Sequence, residues 1–145
     1  MSVLYFAYGS NMDAEQMKER ISASEYVGVG YLPDHELVFN RKGSYRPGGV
    51  ASIVAKEGST AYGVVWRMPS KVLPQLDQIE DPAAYERTEK TVHMLDGEKF
   101  ESYVYVSFPQ GDIDADPEYL EVIISAAEKI NLPTSYIDDL KRHRR

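Results

Sequence analysis

Residues 3–11 read VLYFAYGSN and set the architecture of the N-terminal part of the chain. The apolar run over residues 3–8 does not alternate with polar positions, which is typical of a strand covered on both faces. A glycine then interrupts the run. Apolar residues next recur at helical spacing as far as Ile21, with Asn11 or Asp13 in position to cap the first turn. The stretch predicts a central strand, a tight loop and a helix.

The length and composition indicate a single domain over residues 1–145, with 43% hydrophobic and 27% charged residues. The formal net charge of −7 opposes binding to nucleic acid or to an anionic membrane. No apolar run approaches the ~20 residues of a membrane span, and the N-terminus lacks the basic flank of a signal peptide. We therefore expect a cytoplasmic protein, while the sequence leaves the oligomeric state open.

The remaining chain predicts an α+β fold, a small mixed or barrel-like sheet of six or seven strands with surrounding helices. The predicted strands are 3–8, 26–32, 35–40, 50–55, 62–67, 88–95 and 99–107, and further helices begin at Ser70, Asp116 and Ser135. Gly58-Ser59 predicts a hairpin between the fourth and fifth strands. Asp96-Gly97 predicts another hairpin, closed by a type I′ turn.

The sequence offers no pattern for a metal or a cofactor. None of the three histidines has a metal-ligand spacing. Gly28-Val29-Gly30 lacks the third glycine and the following helix of a dinucleotide loop. The absence of cysteine also excludes a thiolate nucleophile.

The loop Tyr8-Gly9-Ser10-Asn11 is the first candidate for a site. A glycine between a buried strand and a helix start lets successive backbone N–H groups converge on a bound anion. An ordinary strand-to-helix turn explains the same residues equally well.

Glu80 is the second candidate, because helical spacing places its carboxylate on the apolar face formed with Leu76 and Ile79. Burial, the helix C-terminus and the nearby carboxylates Asp77 and Asp81 would all raise its pKa and allow proton exchange near neutral pH. The alternative is a last helical turn that rotates Glu80 into solvent.

The loop over residues 41–49 holds three cations, Arg41, Lys42 and Arg46. They could attract an anionic substrate, but the composition favours a mobile, solvated loop without a binding role.

Six sequence blocks follow one another along the chain. The N-terminal motif is Tyr5-Phe6-Ala7-Tyr8-Gly9-Ser10-Asn11-Met12. The later blocks are 48–53 (GGVASI), 62–66 (YGVVW), 76–80 (LDQIE) with Tyr85, 116–119 (DPEY), and 132–133 (LP) with Tyr136. In this order the blocks resemble those of the γ-glutamylcyclotransferase-like family, and the resemblance covers nearly the whole chain.

This resemblance implies a small mixed barrel and the cyclisation of a γ-glutamyl group to 5-oxoproline without a cofactor. It implies Glu80 as the general acid/base and a substrate-binding segment at Tyr5, Phe6, Ala7, Tyr8, Gly9 and Ser10, joined by Tyr119. The substrate would be a small γ-glutamyl amino acid, peptide such as glutathione, or amine. A binding or regulatory module that keeps the pocket without catalysing is the alternative.

The chain departs from the family pattern directly after Glu80, where Asp81-Pro82 stands in place of a glycine. A second carboxylate there would raise the pKa of Glu80 further or displace its side chain. Proline can still end the helix.

Overall fold

A computed structural model describes residues 1–144, in which five strands form one closed barrel with four α-helices beside it. The strands are β1 (Ser2–Ala7), β2 (Glu25–Lys42), β3 (Gly49–Pro69), β4 (Tyr85–Met94) and β5 (Lys99–Ser107). The helices are α1 (Ala14–Arg20), α2 (Leu73–Glu80), α3 (Pro117–Lys129) and α4 (Thr134–Lys141). Short 3-10 turns at Ser10–Met12 and Ser70–Val72 lead into α1 and α2.

The barrel is mixed, as the sequence predicts. Its strand order is β1-β3-β2-β4-β5, and the ring closes where β1 meets β5 in parallel at Tyr5 and Tyr103. All other pairings are antiparallel. The predicted central strand is confirmed, because β1 lies between β3 and β5 and its second half is buried.

The strand count differs from the six or seven predicted, because two predicted pairs are continuous strands. Residues 26–32 and 35–40 both belong to β2, and 50–55 and 62–67 both belong to β3. The predicted hairpin at Gly58-Ser59 is wrong, since the two halves of β3 pair with β2 and not with each other. The ladder instead bends at this point, where Asp34 and Gly58 have positive φ angles and the Gly58 N–H donates to Asp34 Oδ1 at 3.0 Å.

The hairpin between β4 and β5 is confirmed, but its turn is not type I′. A type I′ turn needs positive φ at both central residues, and here only Gly97 has it. The Met94 N–H donates to Glu98 O at 2.8 Å, so three residues form the loop and the glycine takes its left-handed position.

Side-chain caps fix the helices that border the site. Asp13, and not Asn11, caps α1 by accepting from the Gln16 N–H at 3.0 Å. Asp116 caps α3 in the same way through the Tyr119 N–H at 3.0 Å. The Asn11 side chain therefore does not serve as a helix cap and is available for contacts inside the protein.

The core fills the barrel and continues under α3. Its fully buried side chains include Phe6, Ile53, Val65, Leu120 and Ile124. Trp66 Nε1 donates to Asn11 O at 3.0 Å and holds the loop after β1 against the barrel. Within residues 1–144 no helix is long and apolar enough to cross a membrane.

Candidate active site

A cavity of about 370 Å³ opens at the end of the barrel where β1 stops. Its walls come from the loop after β1, the C-terminus of α2, the connection between β2 and β3, and Tyr119 of α3. This volume suits a small molecule. The walls contain both sites predicted from sequence, the Tyr8–Asn11 loop and Glu80.

Glu80 is held at this cavity by two polar side chains from β1 and the following loop. The Tyr5 hydroxyl donates to Glu80 Oε1 at 2.7 Å, and Asn11 Nδ2 lies 3.4 Å from the same oxygen. Asn11 Nδ2 also donates to Tyr5 Oη at 3.0 Å, which links the three groups. The inward orientation of Glu80 agrees with its helical phase.

Burial raises the pKa of the Glu80 carboxyl, and this effect outweighs the hydrogen bonds and the positive charge that lower it. The lowering groups are the Tyr5 hydroxyl, Arg20 and the Asn11 amide. A carboxyl with a raised pKa at a cavity wall can exchange protons closer to neutral pH than an ordinary glutamate.

The neighbouring acids do not raise the pKa of Glu80, contrary to the sequence-based expectation. Asp77 is paired with Arg87 at 2.9 Å and accepts from the Tyr105 hydroxyl at 2.5 Å. Asp81 accepts from Ser44 Oγ and from the Ala83 N–H, both at 3.0 Å. Asp81 takes a φ of +71°, the backbone conformation that a glycine adopts most readily, and the helix still ends at Glu80.

Gly9 gives room to the Tyr119 hydroxyl. A Cβ atom built on Gly9 would lie 2.7 Å from Tyr119 Oη, closer than a carbon can approach without displacement. The Ala51 N–H donates to this hydroxyl at 3.2 Å, and hydrogen bonds from the Ala51 and Ser10 backbone partly offset the burial that raises its pKa to about 12. The loop N–H of Ser10 thus faces a hydroxyl group at the cavity wall.

Tyrosine hydroxyls line much of the cavity, and most of their protons are already donated. Tyr5 donates to Glu80, Tyr8 to Tyr105 O at 2.5 Å, and Tyr85 to Ala51 O at 2.6 Å. Among residues 1–144, no acceptor takes the proton of Tyr119. Tyr119 is therefore positioned to donate to a molecule in the cavity.

The predicted substrate-binding segment is only partly at the cavity. Tyr5, Tyr8, Gly9, Ser10 and Tyr119 line it, whereas Phe6 and Ala7 do not. Phe6 is fully buried, and Ala7 pairs with Val64 in the β1–β3 ladder. Alternation along β1 turns Phe6 to the face opposite Tyr5, whereas Tyr8 reaches the cavity from the loop beyond the end of the strand.

Several side chains at the cavity were not predicted to belong to a site, and three cations and a tyrosine stand out among them. Arg41, Lys42 and Arg46 line it, although their composition favoured a solvated loop. Arg41 and Lys42 belong to β2, so only residues 43–48 form the connection. Tyr105 lines the cavity as well, and only its inward position on β5 could have indicated this.

Fold and site together define a small mixed-barrel protein in which the Glu80 carboxyl and several tyrosine hydroxyls surround a small-molecule cavity. A sequence profile described as "Gamma-glutamyl cyclotransferase, AIG2-like" matches residues 5–122. A protein named gamma-glutamylcyclotransferase from Bos taurus is 33% identical over 141 residues, which cover 93% of this chain and 75% of the relative. Its Homo sapiens counterpart is 32% identical over 146 residues, covering 97% and 78%.

A solved structure described as gamma-glutamyl cyclotransferase has a TM-score of 0.92 at 29% identity, covering 97% of this chain and 87% of that one. The chain belongs to the gamma-glutamyl cyclotransferase, AIG2-like family.

Proposed function

We propose that this chain cyclises a γ-glutamyl group to 5-oxoproline and releases the attached amino acid or amine, with Glu80 as general base and acid. The observation that carries the proposal is the Glu80 carboxyl, whose pKa is raised by burial at the wall of a small-molecule cavity. Family membership and relatives of the same name support the reaction class.

The nucleophile in this reaction is already part of the substrate. The α-amino nitrogen attacks the γ-carbonyl carbon, so a C–N bond closes a five-membered ring and the bond to the leaving amine breaks. Glu80 takes the proton lost by the α-amine and returns it to the leaving nitrogen. No redox step and no external reactant are needed, and the protein must chiefly fold the substrate and stabilise charge.

Tyr119 is the proposed donor to the oxygen that becomes negative in the tetrahedral intermediate. Its hydroxyl accepts from the Ala51 N–H, and Ser10 also hydrogen-bonds to it. Donors to a hydroxyl oxygen strengthen its O–H as a donor. The backbone at Gly9 and Ser10 would thus act partly through Tyr119.

The remaining predicted residues hold this arrangement. Tyr5 would orient the Glu80 carboxylate, and Tyr8 would form the cavity wall. Phe6 and Ala7 would contribute through β1, which carries both tyrosines to the cavity, and would not touch the substrate with their side chains.

Detection of 5-oxoproline from a panel of γ-glutamyl dipeptides, a γ-glutamyl amine and glutathione tests the proposal. We expect release from at least one of these compounds. A folded protein that any of them stabilises against heating, with no 5-oxoproline formed, would support a non-catalytic binding module and refute the proposal.

A further inference from the structure

Asp81 combines a strained backbone with a side chain that contacts the cavity wall. Its φ of +71° suits a glycine, and positive φ is uncommon for any other residue. An outlier of this kind beside a functional group raises the question of what its side chain contributes. The carboxylate has two partners: Oδ1 accepts from the Ala83 N–H, and Oδ2 accepts from Ser44 Oγ, both at 3.0 Å. A glycine could make neither contact.

The segment that Asp81 contacts is the connection between β2 and β3, residues 43–48. Four of its residues line the cavity, namely Gly43, Ser44, Tyr45 and Arg46. The base of the connection is closed by the Gly43 N–H, which donates to Gly48 O at 3.0 Å. The Tyr45 side chain is fully exposed, so its ring does not anchor the connection. The position of this wall therefore depends on polar contacts made by the neighbours of Tyr45.

The second half of the connection is attached to the start of α3. Arg46 pairs with Asp116 at 3.3 Å, and the Gly48 N–H donates to the same carboxylate at 3.3 Å. Asp116 is the cap of α3, the helix that carries Tyr119 to the cavity. This half is therefore fixed relative to the proposed oxyanion donor.

The first half of the connection is attached to the end of α2 by the hydrogen bond from Ser44 to Asp81. Asp81 directly follows Glu80, the last residue of α2. The connection thus bridges the two helices that present Glu80 and Tyr119. Without the bond from Ser44, it would keep its attachment to α3 and lose the one beside the proposed general base.

We propose that Asp81 is a positioning residue, whose carboxylate holds residues 43–48 at the cavity wall and so prepares the cavity before the substrate binds. A wall that is already ordered makes binding tighter than a wall that the ligand must order. Loss of the contact should therefore weaken substrate binding and leave the chemical step unchanged. The inference rests on the proposed function and adds a role for a residue that stands where the family pattern has a glycine.

Ser44→Ala removes the contact and leaves the backbone of Asp81 and its bond to Ala83 in place. Loss of one hydrogen bond should raise KM for the γ-glutamyl compound by about 2- to 10-fold, with kcat within about twofold of native. Asp81→Gly should raise KM by a similar factor, and the double variant should raise it no further. Asp81→Asn should restore part of the effect, because its amide can still donate to Ser44 Oγ.

Asp34→Gly is the matched control for Asp81→Gly. Asp34 also has a positive φ, +57°, and its Oδ1 accepts from the Gly58 N–H at 3.0 Å. Neither Asp34 nor Gly58 lines the cavity. The control therefore makes the same substitution in a similar backbone conformation and should leave KM at the native value. An equal rise in KM in both variants would overturn the inference, because it would assign the effect to general loosening of the protein.

Cleavage by chymotrypsin after Tyr45 tests the contact without any substrate. The exposed ring is available to the protease, but cleavage requires the backbone of the connection to open locally. The rate at which fragment 1–45 appears in mass spectra should rise about 2- to 10-fold in Ser44→Ala and in Asp81→Gly, and should not change in Asp34→Gly. An unchanged rate in the first two variants would overturn the inference, and so would faster cleavage with KM unchanged.

The inference and the proposed function fail on different observations. A native protein that forms no 5-oxoproline refutes the proposed function, and calorimetric titration with γ-glutamyl alanine then takes the place of KM. Weaker binding by Ser44→Ala than by the native protein supports the positioning role, and equal binding contradicts it. A native protein that neither converts nor binds any compound of the panel contradicts both.

Discussion

Gly9→Ala should destabilise the protein through a single contact, the one with the Tyr119 hydroxyl. The new Cβ would lie 2.7 Å from Tyr119 Oη, whereas the next neighbours, Ala51 Cβ and Tyr119 Cζ, are at 3.8 Å, an ordinary contact distance. The ring cannot easily retreat, because it is 8% exposed, packs edge-on against Phe39 and lies under Arg46.

Overpacking of this kind costs about 1–3 kcal/mol of unfolding free energy. Tyr119→Phe alone should cost about 1–3 kcal/mol, because the Ala51 N–H loses its acceptor. In the double variant the clashing oxygen is absent, and any backbone cost of replacing the glycine is the same in both backgrounds. We therefore expect the double variant to be more stable than the sum of the single effects by about 1–2 kcal/mol.

Urea unfolding of the four proteins measures this coupling. The same cycle between Gly9→Ala and Tyr26→Phe serves as the control, because Tyr26 is exposed and its cycle should be additive. Additivity within about 0.5 kcal/mol in the Tyr119 cycle would refute the close contact and with it the role of the loop in seating Tyr119.

Three further predictions concern titratable groups. Because the pKa of Glu80 is raised in the folded state, the native protein loses stability as the pH rises through that pKa. The melting temperature of Glu80→Gln should therefore rise relative to that of the native protein between pH 4 and pH 8. A difference in melting temperature that stays constant over this range would contradict the raised pKa. Tyr5→Phe removes a hydrogen bond that lowers the pKa of Glu80. The acid limb of the pH profile of kcat/KM for 5-oxoproline formation should therefore move to higher pH. An acid limb that does not move would show that Glu80 does not govern it. Asp116→Ala removes the cap of α3 and should cost about 0.5–2 kcal/mol at pH 7 by urea unfolding. The pKa of Asp116 is lowered chiefly by the Tyr119 N–H, so this cost should shrink as the pH falls through that pKa; a cost independent of pH would count against the cap.

Local patterns predicted the elements whose determinants lie within a few residues of each other. The hairpin at Asp96-Gly97 and the helix beginning at Asp116-Pro117 are examples. The two long strands were not predicted, because Asp34 and Gly58 supply turn chemistry that serves a bend in a ladder as well as a hairpin. Which of the two forms depends on pairing between β2 and β3, which is not local.

The residues of the site divide in the same way, into those that local sequence patterns predicted and those that depend on contacts between distant segments. Helical phase was enough to place the Glu80 carboxylate on the interior face, and the break at Gly9 was enough to indicate a loop there. Arg41 and Tyr105 reach the cavity through strand pairing between segments distant in sequence, so no short-range signal marks them. The cations of residues 41–49 have a loop-like composition, and only their position shows that they face a cavity.

The most direct test of the central claim is 5-oxoproline formation by Glu80→Gln beside the native protein, with binding of the same γ-glutamyl substrate measured by calorimetry. Removal of a general acid/base should lower kcat by about 10²- to 10⁴-fold, while the dissociation constant stays within a few-fold of native, because Gln keeps the shape and can still accept from the Tyr5 hydroxyl. Turnover by Glu80→Gln at a rate close to that of the native protein would contradict the assignment of Glu80 as the group that moves the proton.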